Sequence, residues 1–130
     1  MKARVRTAYG VYLVDVAADE VLGLDADATM PEPEGDRIGL PGVVASSAAG
    51  STVVAVVSRR PPLVVSYDAG RTWQETGGGL PEGRAVTIAA DDPDLMLFAG
   101  RNRLFVSRDG GRFWQARTLE LPEIDAVAWI

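Results

Sequence analysis

Short runs of alternating apolar and polar side chains, separated by stretches rich in Gly, Pro and Asp, cover most of this chain. A period of two marks strands, and the breaks carry turn chemistry. Ala85–Ala90, Leu95–Ala99, Arg103–Ser107 and Arg112–Thr118 read as four successive strands. Asp91-Asp92-Pro93-Asp94 reads as the turn between the first two, because Pro presets φ and Asp caps the bend. An earlier stretch reads in the same way: Val43–Ser47, Thr52–Ser58, Pro62–Ser66 and Arg71–Thr76. Gly77-Gly78-Gly79-Leu80-Pro81-Glu82-Gly83 then forms the loop between the two sets.

The two sets are copies of one unit. Ser66-Tyr-Asp-Ala-Gly-Arg-Thr-Trp-Gln74 and Ser107-Arg-Asp-Gly-Gly-Arg-Phe-Trp-Gln115 share Ser, Asp, Gly, Arg, Trp and Gln at an offset of 41. That period suits a four-stranded β-propeller blade. At the same offset Ala126–Ile130 aligns with Ala85–Ala89, the first strand of a further blade. The N-terminal part begins at a second strand, with Ala3–Ala8, Val11–Val14 and Val21–Asp25. There Asp15, Ala17, Asp19 and Leu22 stand where the repeat has Ser, Asp, Gly and Trp.

The expected organisation is one all-β domain of three blade equivalents. Residues 1–41 form a degenerate blade lacking its first strand. Residues 42–83 and 84–122 form two full blades, and 123–130 the strand that completes the split one. A ring needs at least four blades. Two copies supply six, so the expected assembly is a homodimer with Glu123–Ile130 of each chain joining Ala3–Asp25 of the other. The alternative is a fragment of a longer propeller.

The pattern Ser-x-Asp-x-Gly-x-x-Trp resembles the Asp-box, or BNR, repeat of sialidases, sortilin-type receptors and many bacterial propellers. The resemblance is strong from Val43 to Gln115 and weak before it. It implies a structural role for Ser66, Asp68, Gly70, Trp73, Ser107, Asp109, Gly111 and Trp114, on the face away from the usual active site. Turn chemistry gives the same reading. Asp carboxylates accept backbone amides, Gly supplies positive φ, and Trp fills the space between blades.

Charge and composition narrow the function. The net charge of −5 disfavours nucleic acid as a partner. The absence of Cys and His removes disulfides, thiolate zinc sites and His-dependent catalytic triads. No signal-like or membrane-spanning run is present, so a cytoplasmic location is expected. The turns between second and third strands and the blade-to-blade loops share one face in such propellers. Tyr9, Arg59, Arg60, Arg84, Arg101 and Arg103 fall there. Arg suits carboxylate or phosphate recognition, although arginines also simply solvate exposed turns.

The sialidase resemblance implies an Arg cluster, a Tyr–Glu nucleophile pair and an Asp acid. Tyr67 lies inside the repeat, Tyr12 alternates with strand residues, and Tyr9 lacks an identifiable acid partner. The acidic stretch Asp25–Asp36 reads as a solvated connection, and Asp91, Asp92 and Asp94 as a turn; neither reads as a metal site. No cofactor is expected. The expected function is a non-catalytic binding or assembly module, with a small-molecule, anionic or carbohydrate ligand at the channel face. The alternatives are a sialidase-like glycosidase and a ligand-free structural relic.

Overall fold

The computed structural model describes residues 1–30 and 40–130. Its strands form three four-stranded antiparallel sheets. Blade I contains β1 (Lys2–Thr7), β2 (Gly10–Asp15), β3 (Glu20–Asp25) and, from the other end of the chain, β12 (Ile124–Trp129). Blade II contains β4 (Val43–Ala49), β5 (Thr52–Val57), β6 (Leu63–Ser66) and β7 (Gln74–Thr76). Blade III contains β8 (Ala85–Ala89), β9 (Asp92–Ala99), β10 (Leu104–Ser107) and β11 (Gln115–Ala116).

The strand order of blade I is β12-β1-β2-β3, the split-blade arrangement. Val5 lies opposite both Val127 and Tyr12. The pairing expected between two copies is thus made within a single chain in this structure. Innermost strands β4, β8 and β12 stand side by side, with β8 in the middle. The three sheets therefore form a propeller-like arc in the order II, III, I.

Both faces of blade III are buried, which explains the nearly unbroken apolar run Leu95–Ala99. Val86, Ile88, Met96 and Phe98 pack on Val54, Val56, Leu63 and Val65 of blade II. Ala85, Leu97, Ala99, Leu104 and Val106 pack on Ala3, Val5, Val14 and Val127 of blade I. Phe98 is fully buried, 5.7 Å from the ring of Phe105 and 6.1 Å from that of Trp114. The loop from blade II to blade III passes close to it. A Cβ on Gly83 would lie 2.5 Å from Val56 and 2.6 Å from Phe98, so only glycine fits.

Several strand ends shift by a residue or two from the sequence reading, and the larger differences lie at the β8–β9 turn and in the outer strands. The Asp91–Asp94 turn is tighter than expected: β9 already begins at Asp92, and a register shift at Ile88/Ala89 accommodates Pro93. Outer strands β7 and β11 are shorter than Arg71–Thr76 and Arg112–Thr118. At their starts the reason lies in the preceding turns, whose amides are held by the repeated aspartates and cannot enter the ladder, and beyond β11 the Thr118 amide is taken by Asp19. Much of the Asp25–Asp36 stretch falls outside the described residues.

Candidate functional site

The blades carry two kinds of loop, one at each end of their strands. At one end lie the repeated hairpins. Buried Ser107 donates from Oγ to Asp109 Oδ1 (2.8 Å) and accepts the Gly111 amide (2.9 Å). Asp109 Oδ1 also accepts the amides of Arg112 and Phe113. Ser66 and Asp68 repeat this arrangement with Gly70 and Thr72. Gly70 and Gly111 have φ of 89° and 90°, where a side chain would be strained. Trp114 Nε1 donates to the Gly111 carbonyl at 2.9 Å. Trp73 packs beside Ala55, Val57 and Val64 on the far face of blade II.

These carboxylates are committed to structure. The Thr72 hydroxyl and amide and the Ser66 hydroxyl lower Asp68 to about 2. Asp109 is lowered first by the Phe113 amide. Blade I lacks this network, and its hairpin is fixed differently. Asp15 Oδ1 accepts the Ala18 amide (3.1 Å), while Asp19 adopts a φ of 58°. The Asp19 carboxylate reaches blade III, accepting the Thr118 amide (2.7 Å), the Thr118 hydroxyl (2.6 Å) and the Leu119 amide (3.2 Å). Burial opposes its ionisation most, but these bonds together hold its pKa below the ordinary value. Sequence reading placed Asp19 at a lost glycine position. Its positive φ agrees with that place, but its carboxylate contact was missed.

At the other end, turns and blade-to-blade loops meet. Arg84 N donates to Ala99 O, Leu121 N to Asn102 O and Ile124 N to Arg101 O. This backbone mesh gathers Arg84, Arg101 and Arg103 around a cavity of about 390 Å³, together with Pro81, Glu82 and Asn102. Arg84 Nη2 lies 3.1 Å and Arg101 Nε 3.6 Å from Glu123 Oε1, and Arg103 Nη2 lies 2.6 Å from Glu120 Oε1. The two glutamates were not anticipated as counterions. Tyr9, two-thirds exposed, lies in the β1–β2 turn, and exposed Arg59 and Arg60 in the β5–β6 turn. These three are outside the cavity that gathers the other arginines.

Arg84 also borders a second cavity, of about 360 Å³, on the concave side of the arc. Its walls come from β4, β8 and β12 and include Ser46, Ser47, Thr87 and Asp125, with Met30 at its edge. Asp125 is paired with Arg6 at 2.6 Å, and the Ser47 hydroxyl accepts the Ile88 amide. Among the described residues, no group of three or more acidic side chains is placed to hold a metal ion. No helix among them is long and apolar enough to cross a membrane.

No family model matches the chain, and no curated protein does. Among solved structures, a GH74 enzyme of Niastella koreensis is similar, at 18% identity and a TM-score of 0.49. The match covers 92% of this chain and 18% of that enzyme, so the chain spans less than a fifth of its length.

Proposed function

We propose that this chain is a non-catalytic propeller module of the Asp-box type that binds an anionic ligand, such as an acidic sugar, at the Arg84 end of its blades. The gathering of Arg84, Arg101 and Arg103 beside one cavity carries the reading. Three guanidiniums there meet Glu120 and Glu123 in exposed pairs, which are weak enough for an anion to displace. Guanidinium forks match the geometry of a carboxylate. Catalysis finds less support. A glycosidase acid needs a raised carboxyl pKa, whereas Asp19, Asp68 and Asp109 all shift down and belong to hairpin contacts.

The test is an NMR titration of the 130-residue chain with an oligogalacturonate and with a neutral oligosaccharide of equal length. Saturable shifts at Arg84, Arg101 and Arg103 with the acidic probe only, weakened about tenfold by Arg84→Ala, are expected. Equal response to both probes, no response, or hydrolysis of either would overturn the proposal.

A further inference from the structure

We infer that two copies of this chain exchange β1–β3, each filling the other's split blade and closing a six-bladed ring. This goes beyond the ligand proposal and does not depend on it. The first observation is the mismatch between order along the chain and order in space. Strands β1–β3 precede blade II in sequence, yet blade I packs on blade III. Consecutive units normally lie adjacent. Blades II and III, which are consecutive, follow that rule, and so do blade III and β12.

The connections tell the same story. Residues 77–84 and 117–123 join neighbouring units, whereas residues 26–42, about twice as long, join β3 to β4. Ala28 and Met30 pack on Val11, Ala126 and Ala128, the face of blade I turned away from blade III. Leu40 packs on Ala55, Val57 and Val64, the face of blade II turned away from blade III. The two ends of this one connection thus rest on the two outer faces of the arc. After exchange, those faces meet directly and the connection joins neighbours.

The side chains on the two faces fit such a meeting. On blade I the outward row is Ala128, Arg4, Leu13 and Gly23. On blade II it is Ser46, Ala55, Val64 and Glu75. The corresponding row of blade III is Val86, Phe98, Phe105 and Ala116, which fills the space against blade II with two aromatic rings. Where blade III has Phe98 and Phe105, blade II has Ala55 and Val64, small enough to receive the long Arg4 side chain. Glu75 at the outer end of the row supplies the opposite charge. The blade II–III and III–I interfaces are the template, and the new contact continues them with one more blade step.

The strand pairing itself is the same before and after exchange, so a covalent reporter can distinguish the two. Arg6 and Ala126, outside the interface row, face each other across β1 and β12, at a separation typical of disulfides. The chain contains no cysteine, so Arg6→Cys with Ala126→Cys introduces a single pair. After oxidation, a covalent dimer on a non-reducing gel is expected. Light scattering on the unmodified chain should give about twice 13.8 kDa. A 13.8 kDa particle overturns the inference without relying on any variant. A disulfide closed within one chain likewise overturns the exchange, even in a particle of double mass.

Discussion

The hairpins of blades II and III and the hairpin of blade I solve one problem in two ways. In the first two, a buried serine and an aspartate gather the amides of their own turn, and the blade III hairpin also accepts the Tyr67 and Thr76 hydroxyls of blade II at its Gly110 and Gly111 carbonyls. In blade I, Asp15 makes one local bond, while the Asp19 carboxylate is spent on Thr118 and Leu119 of the neighbouring unit. The difference teaches that a turn without the serine–aspartate network can still be fixed by an acidic side chain, which latches two blades together. It also separates what each hairpin depends on. Asp68 and Asp109 hold the amides of their own turns, and Asp19 holds those of a neighbouring blade.

The largest expected effect follows from Ser107, whose hydroxyl is buried and both donates and accepts. Ser107→Ala leaves the Gly111 amide unpaired and should cost about 1–3 kcal/mol in chemical denaturation. A loss below about 0.5 kcal/mol would mean that the hairpin does not need its internal network. A smaller and more local effect is expected for Asp19→Ala. Exchange of the Thr118 and Leu119 amides should accelerate about tenfold, while the Gly111 amide is unchanged. Equal acceleration at both places would erase the distinction between aspartates that hold their own turn and the one that holds a neighbouring blade.

Acid provides the mildest test. The folded-state value of Asp68, about 2, lies below the ordinary 3.8 expected when unfolded. The stability it contributes is therefore complete only above about pH 5 and is lost as pH falls through about 2. Asp109 and Asp19 shift in the same direction. The melting temperature should fall across that window, and Asp68→Asn should flatten the fall. An unchanged slope in this variant would show that the first hairpin does not favour the ionised carboxylate.

Much of this was legible in the sequence because repetition reveals geometry. The offset between Ser66 and Ser107, carried to Ala126, locates in the sequence the strand that completes blade I. The conformations of Gly70 and Gly111 were legible for the same reason, since few other residues tolerate φ near 90°. Side-chain reach between blades was not legible. Glu120 and Glu123 sit in a loop whose path is set by backbone bonds to Asn102 and Arg101, and no local pattern announces such pairs. The start of β9 at Asp92 was not legible, because the turn chemistry is present: Pro93 and Asp94 have no β8 partner and Asp92 accepts the Asp94 amide, while Asp92 itself pairs with Ala89 across the register shift.

The central claim is that one blade is built from both ends of the chain, with β12 as its innermost strand. Hydrogen exchange on a chain ending at Pro122 tests it most directly. Without β12, the amides of Lys2–Thr7 should lose protection, and Val54–Val57 in blade II should keep theirs. Retained protection across β1, with unfolding as cooperative as in the full chain, would contradict the split blade.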